Sequence, residues 1–255
     1  MYNAIHNSLI IGKKVIYLPS CHSTNDIAAE LVQNGLAEEG TVVITDNQTG
    51  GRGQRGTTWG SEAGKNLTFS IVLKPLFLPI DQQFLISQVI ALGLYDYLSS
   101  FSERTRIKWP NDIYISTKKI SGTLIENSIQ GTGISSSIVG IGININQHYE
   151  PQNRITSLAD EVGSELVLGV EFKNVMRSLD QRYVRLRHMA ETDGIRTAYL
   201  RALYGYQQPV TFNYQNKRVV GMVTGVADNG RLLVSLEGYE SILDFGMKEI
   251  EWVWD

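Results

Sequence analysis

The sequence is poor in cysteine, in net charge and in long apolar runs, and each shortage excludes a class of protein. Cys21 is the only cysteine, which excludes an internal disulfide and a cysteine-rich zinc site. The net charge of −3 argues against a general polyanion binder, because sequence-independent affinity for nucleic acid comes from Lys and Arg. No stretch approaches the ~18 apolar residues of a membrane span, and residues 1–14 lack the features of a signal peptide. We therefore expect a soluble, cytoplasmic protein without a membrane or nucleic-acid partner.

The hydrophobic patterning divides the 255 residues into two parts near residue 207. Before this point, apolar β-branched runs alternate with segments of 3.6-residue periodicity, whereas after it short strands follow one another closely. An α+β domain at 1–207 and a small β-barrel at 208–255 are therefore predicted. The predicted helices are 25–34, 84–98, 171–190 and 195–203. The predicted strands are 14–18, 41–45, 67–73, 106–108, 113–115, 119–128, 134–145, 210–214, 219–226, 232–235 and 241–245, with a type I′ turn at Asn229-Gly230.

A long glycine-rich segment with almost no apolar periodicity follows the second strand. Its centre, Thr49–Trp59, reads TGGRGQRGTTW. Glycines let backbone N–H groups approach an anion, while Arg52 and Arg55 add positive charge and Trp59 offers a stacking face. The spacing fits neither dinucleotide-binding motif. A flexible surface loop and a contact with RNA are the alternative interpretations.

Two polar segments lie among the short strands. Lys108–Asp112 reads KWPND, and its alternative interpretation is a simple turn with a packed Trp. Lys118–Glu126 reads KKISGTLIE, where strict alternation places Lys119 and Gly122 on opposite faces. The glycine there indicates close approach of a ligand or of another backbone. An amphipathic strand with a solvated lysine pair would have the same sequence.

Two further segments complete the candidate site. Gly140–Asn146 reads GIGININ, and asparagines in so apolar a run must be hydrogen-bonded or costly. Ser23–Asn25 precedes the first predicted helix, where an N-cap is the alternative interpretation.

Taken together and in this order, the five segments resemble the biotin–protein ligases. The family pattern is STN, GRGRxGxxW, KWPND, K-[ILV]-x-G-[IL]-[LI]-x-E and GxGxN. The resemblance implies a mixed, class II synthetase-like β-sheet flanked by helices and an SH3-like C-terminal barrel. It also implies that the enzyme adenylates biotin with ATP and Mg²⁺ and transfers biotin to a lysine of a biotin carboxyl carrier domain. Monomers and homodimers both occur in the family. Only 22 residues precede Ser23, so we expect no DNA-binding head and no operator binding.

The resemblance also assigns roles to individual residues. Lys119 is the principal catalytic residue, in contact with the biotin carboxylate and the α-phosphate, and Arg52 and Asp112 assist it. Asp112 either orients Lys119 or, with the phosphates, holds Mg²⁺. Apolar walls are expected around Trp109, Leu124 and Ile143. The implied biotin contacts are Ser23, Thr24, Asn25, Gln48, Gly51, Arg52, Gly53, Trp109, Lys119 and Gly122. The implied ATP contacts are Arg55, Trp59, Lys108, Asn111, Lys119 and Asn144.

The sequence departs from the family pattern at Gln54, which occupies the second arginine position of the GRGRxG loop. One cation over the adenylate is then missing, so we expect normal adenylation but weaker retention of biotinyl-AMP, with Arg55 as a neighbouring replacement. We also expect the loop to be mobile until ligand orders it. A lipoate– or octanoate–protein ligase and a non-catalytic biotin or nucleotide sensor are the alternatives that the sequence leaves open.

Overall fold

The computed structural model describes residues 2–5, 7–131, 133–150, 152–188 and 192–254, and in this part the chain forms two β-sheets and five α-helices. The helices are α1 (Thr24–Gln33), α2 (Phe84–Ser99), α3 (Leu158–Val162), α4 (Leu168–Arg187) and α5 (Thr192–Ala202). The strands are β1 (Val15–Cys21), β2 (Val42–Gln48), β3 (Leu67–Leu73), β4 (Thr105–Lys108), β5 (Asp112–Ile115), β6 (Lys118–Gln130), β7 (Gly133–Ile143), β8 (Pro209–Tyr214), β9 (Lys217–Val226), β10 (Leu232–Leu236), β11 (Leu243–Phe245) and β12 (Glu251–Trp252).

The larger sheet has seven strands in the order β1-β2-β3-β7-β6-β5-β4. β1 and β2 are parallel, whereas every other neighbouring pair is antiparallel. Parallel strands need a crossover connection, and α1 supplies it between β1 and β2. The prediction of a mixed sheet in an α+β fold is therefore confirmed.

Helices cover both faces of this sheet, which explains its apolar central strands. Along β2, Val42 and Ile44 belong to the main hydrophobic core, whereas Val43 belongs to a second cluster beneath α1. The helices α2 and α4 pack on each other and supply much of the main core. All seven residues of β3 are buried. A strand covered on both faces is buried at successive positions, and five of its seven residues are apolar, with Thr68 and Ser70 as its buried polar residues.

The smaller sheet contains the C-terminal strands in the order β11-β10-β9-β8-β12, all antiparallel. The predicted type I′ turn at Asn229-Gly230 is wrong in detail. Five residues connect β9 to β10, and Gly230 has a positive φ of 85° while Asn229 does not. The two-residue turn with positive φ at both positions is Gln215-Asn216, between β8 and β9. Connection length selects the turn type, and the connection between β9 and β10 is longer than the two residues of a type I′ turn.

Other element boundaries differ from the predictions at their ends. The predicted helix 171–190 begins earlier, at Leu168, and ends earlier, at Arg187, with His188 at its C-cap; the predicted end at Ala190 lies outside the described residues. The short elements α3 and β12 had no periodicity long enough to predict. No helix in the described ranges is both long and apolar enough to cross a bilayer.

Candidate active site

A cavity of about 490 Å³ lies between the larger sheet, the glycine-rich loop (residues 49–59) and the C-terminal part of the chain. Its size fits a small-molecule site. Most of the predicted site residues line it together: Ser23, Thr24, Asn25, Gln48, Arg52, Gly53, Trp59, Lys108, Trp109, Asp112, Lys119 and Gly122. The five sequence segments therefore converge on one space, although about 120 residues separate the first from the last.

Three predicted residues, Gly51, Asn111 and Asn144, are not among those that line the cavity. Asn144 is buried, and its Nδ2 donates to the carbonyl of Thr156 at 3.0 Å. Asn111 is also buried. Gly51 contributes to the loop through its backbone, since its carbonyl accepts from the Trp59 N–H. The expected apolar contact of Ile143 is replaced by Ile141 in the wall. The nucleotide contacts of Asn111 and Asn144 stay predictions, and the side chain of Arg55 lies outside the described part of the chain.

The start of α1 presents polar groups to the cavity. Ser23 occupies the N-cap position with extended backbone (φ −150°, ψ 130°), but its side chain makes no capping hydrogen bond. The N-cap alternative therefore does not account for this serine, whose hydroxyl is available to a ligand. The Gln48 Oε1 accepts from the Thr24 N–H at 2.8 Å and from its hydroxyl at 3.2 Å. This leaves the Gln48 amide N–H groups to be directed elsewhere.

The Asn25 side chain is committed to protein partners on both sides. Its Nδ2 donates to Glu126 Oε2 at 2.6 Å, and its Oδ1 accepts from the Ser70 hydroxyl at 2.6 Å. Such a network orders the first turn of α1 against β3 and β6. Neither Glu126 nor Ser70 was predicted as a site residue, because their contact with Asn25 depends on tertiary packing.

Lys119 and Asp112 form the charged centre of the site. Lys119 Nζ donates to Asp112 Oδ2 at 2.6 Å, and their side chains are 29% and 21% exposed. Strict alternation placed Lys119 opposite Gly122, and this is wrong. A Cβ built on Gly122 would lie 3.1 Å from Lys119 Nζ, so the ammonium lies on the cavity face. The cause is a bulge, since Ile113 pairs with Ser121 while Tyr114 pairs with Lys119. Bulges re-aim side chains beside active sites.

The glycine-rich loop is held over the cavity by contacts at two of its residues. Arg52 pairs with Asp26 at 2.7 Å and with Glu126 at 3.4 Å. Gln54 Nε2 donates to Asn111 Oδ1 at 2.8 Å and to the Thr123 carbonyl at 3.0 Å. These partners belong to α1, to β6 and to the KWPND turn. The loop thus contacts the strand that carries Lys119 and the residue that precedes Asp112.

The indole of Trp59 lies flat against two glycines of the sheet. A Cβ on Gly142 would come within 2.1 Å of the ring, and one on Gly122 within 2.9 Å. Glycine is therefore required at Gly142 for this packing. The Trp59 Nε1 is buried without a hydrogen-bond partner among the described residues. A buried N–H of this kind is costly unless a ligand satisfies it.

The C-terminal residues form a wall of the cavity that sequence reasoning missed. The wall consists of Met247, Lys248, Ile250, Glu251 and Trp252. Lys108 Nζ lies 5.4 Å from the ring centroid of Tyr114 and 5.8 Å from that of Trp252. Burial is the main reason why the pKa of Lys108 is lowered. Trp109 Nε1 donates to the Gly230 carbonyl at 2.9 Å, which joins the site to the β9–β10 turn.

Comparison with known proteins agrees with this arrangement. Residues 17–145 match the biotin/lipoate A/B protein ligase family, and residues 207–246 match the biotin protein ligase C terminal domain. The chain belongs to the biotin/lipoate A/B protein ligase family. The resemblance to biotin–protein ligases is confirmed, and so is the enzyme class.

Individual relatives of this ligase family match over different lengths. A bifunctional ligase/repressor BirA of Bacillus spizizenii is 30% identical over 248 residues, which cover 95% of this chain and 75% of the relative. A biotin–[acetyl-CoA-carboxylase] ligase of Paracoccus denitrificans is 38% identical over 42% of this chain and 44% of its own length. The biotin protein ligase of Aquifex aeolicus in complex with biotin and ATP superposes with a TM-score of 0.77 and 25% identity, over 95% of this chain and 100% of that one.

Proposed function

We propose that this ligase condenses biotin with ATP to biotinyl-5′-AMP and then transfers biotin to a lysine of a biotin carboxyl carrier domain. The observation that carries the proposal is the Lys119–Asp112 ion pair in the wall of a cavity that the other motif residues share. A biotin and ATP complex of the Aquifex aeolicus relative supports the choice of substrates. Since the first step consumes ATP, we also propose the cytoplasm as the place of action.

In the first step, a carboxylate oxygen of biotin attacks the α-phosphorus of ATP and pyrophosphate leaves. Two negative groups must approach each other, so the site needs fixed cations and N–H donors. In this proposal Lys119 Nζ contacts the biotin carboxylate and the α-phosphate, while Asp112 holds the ammonium in place through the 2.6 Å contact. Arg52 and the backbone amides of the glycine-rich loop add further donors.

The biotin end of the cavity is assigned to the start of α1. The ureido group of biotin offers two N–H donors and one carbonyl acceptor. The Ser23 hydroxyl and the Gln48 amide complement these groups, since Gln48 Oε1 already accepts from Thr24. Asn25 has its amide committed to Glu126 and Ser70, so we assign it an orienting role. Gly53 and Leu124 line the same cavity.

The nucleotide end is assigned to Trp59, Lys108 and the C-terminal wall. The indole of Trp59 offers a stacking face for adenine on the side away from Gly142. Among the described residues, no group of three His, Cys, Asp or Glu could hold a metal ion. Mg²⁺ therefore belongs to this proposal as part of the Mg·ATP substrate, with Asp112 as the nearby carboxylate.

In the second step, the amine of the acceptor lysine attacks the biotinyl carbonyl, AMP leaves, and the amine loses a proton. The mixed anhydride is prone to hydrolysis, so water must be kept out until the acceptor arrives. The glycine-rich loop, held by Arg52 and Gln54, covers the cavity and is suited to this task.

The experiment that tests the proposal is exchange of labelled pyrophosphate into ATP by the whole chain, with biotin, lipoate or octanoate as the acid. We expect exchange with biotin, and label from biotin on a carrier-domain lysine when that domain is added. Exchange that depends on lipoate or octanoate would identify the alternative ligase of the same family. Binding of biotin without exchange or transfer would identify a non-catalytic sensor and overturn the proposal.

A further inference from the structure

Gln54 fills the cavity-side corner of the glycine-rich loop with a neutral amide. Both hydrogens of its Nε2 are used, because the atom lies 2.8 Å from Asn111 Oδ1 and 3.0 Å from the Thr123 carbonyl. Both partners act as acceptors in this arrangement, so the contact needs a donor at position 54 and no charge.

Both acceptors are buried and firmly placed. Asn111 and Thr123 are 3% and 4% exposed. Asn111 follows Pro110, whose carbonyl accepts from the Tyr199 hydroxyl at 2.6 Å. Thr123 lies inside β6, which is paired with β7 along its length. A loop residue that donates to such groups is held by the rigid part of the fold.

The Arg52 ion pairs are weaker anchors for the same loop. The side chains of Arg52, Asp26 and Glu126 are 48%, 42% and 45% exposed. Exposed ion pairs contribute little and are screened by salt. Hydrogen bonds whose acceptors are buried contribute more, because breaking them leaves a buried acceptor unsatisfied.

We propose that Gln54 is a positioning residue that latches the glycine-rich loop closed through contacts within the chain, in contrast to the ligand-dependent ordering expected from the sequence. The latch ends on Asn111, directly before Asp112, and on Thr123, in the strand that begins beside Lys119. Loop closure and the alignment of the Lys119–Asp112 pair are therefore mechanically joined. The closed loop itself is independent of the proposed function, whereas its effect on adenylation rests on that function.

The test is amide hydrogen exchange of peptides that span residues 49–59, in the ligand-free whole chain. Gln54→Glu is nearly isosteric and replaces the donor with an acceptor, so we expect about tenfold loss of protection in these peptides. Gln54→Arg keeps donors at this position, and its protection should stay within threefold of wild type. Gln130→Glu adds the same charge at an exposed position on the end of β6 and is the matched control.

Salt and kinetics separate the latch from the ion pairs and from the proposed chemistry. Asp26→Asn and a rise from 50 to 500 mM salt should each change loop protection by less than about threefold. With biotin and ATP, Gln54→Glu should have a lower kcat of pyrophosphate exchange than wild type, whereas Gln54→Arg should have a kcat close to that of wild type. Both variants should have the melting temperature of wild type. Equal protection in wild type and Gln54→Glu, or a Gln54→Arg loop as open as that of Gln54→Glu, would overturn the latch. Absence of exchange in wild type would instead count against the proposed function.

Discussion

Replacement of Gly142 by alanine provides the sharpest test of how the nucleotide end is built. A Cβ at this position would lie 2.1 Å from Cε2 and 2.2 Å from Cζ2 of Trp59. Ordinary contact begins at 3.4 Å, so the indole must withdraw by roughly 1.3 Å. The ring belongs to the glycine-rich loop, and it can move only if the loop moves with it or the sheet distorts.

The size of the effect follows from the cost of overpacking. Inserting a methyl group into a well-packed contact costs about 1–3 kcal/mol. Because Trp59 faces the cavity, this cost should appear as weaker nucleotide binding. We expect Gly142→Ala to raise the KM for ATP about 5- to 150-fold. The KM for biotin should change less than the KM for ATP, since Ser23 and Gln48 lie outside the loop that carries Trp59.

Two further glycines calibrate this measurement. A Cβ on Gly122 would lie 2.9 Å from Trp59 and 3.1 Å from the flexible end of Lys119. Gly122→Ala should therefore raise the KM for ATP less than Gly142→Ala does. It should also lower kcat, because the new methyl group touches Lys119. Gly60→Ala is the matched control, because its Cβ would meet nothing within 4 Å. Biotin-dependent pyrophosphate exchange across ATP concentrations measures the effect. A Gly142→Ala enzyme with a KM for ATP within twofold of wild type and an unchanged melting temperature would refute the packing argument.

Three further predictions concern charge and the connection between the sheets. Lys119→Ala should lower the adenylation rate about 10²–10³-fold, because it removes a donor aimed at developing charge. The control Lys118→Ala should keep an adenylation rate within threefold of wild type, and a Lys119→Ala rate within tenfold of wild type would exclude the assigned role. Trp109→Phe removes the hydrogen bond to the Gly230 carbonyl and should lower the free energy of unfolding in urea by about 1–3 kcal/mol; an unchanged value would show that the bond adds no net stability. Burial lowers the pKa of Lys108, so between that pKa and about 10.4 the unfolded chain binds more protons than the folded chain. In urea unfolding, the stability of wild type relative to Lys108→Met should therefore increase from pH 7 to pH 10. The same stability difference between the two proteins at pH 7 and at pH 10 would mean that the rings of Tyr114 and Trp252 offset burial.

Patterns that depend on neighbours in sequence were predictable. The strand Leu67–Leu73 has the predicted bounds, because its residues are mostly β-branched, aromatic or otherwise apolar, as strand residues usually are. Ser23, Lys108 and Lys119 line the cavity, as expected for motif residues of one site. Each of these conclusions needed only a short window of sequence, together with the order of the motifs.

Features set by pairing between distant segments were not predictable. The bulge that turns Lys119 toward Gly122 depends on how β6 pairs with β5, and no residue type marks it. The partners of Arg52 and the wall around Trp252 come from segments far away in the chain. The neutral amide at Gln54 was seen in the sequence as a missing charge, and its two acceptors became visible only in the fold.

The hydrogen bond from Trp109 to Gly230 has a consequence for how such enzymes can be recombined. It places the β9–β10 turn against the KWPND segment, while Trp252 lines the same cavity as Lys119. A chimaera that receives its C-terminal strands from another member of the family would inherit one half of a binding site fitted to a different partner. Functional exchange of these parts requires that Trp109, the β9–β10 turn and the Trp252 wall be transplanted as a single unit.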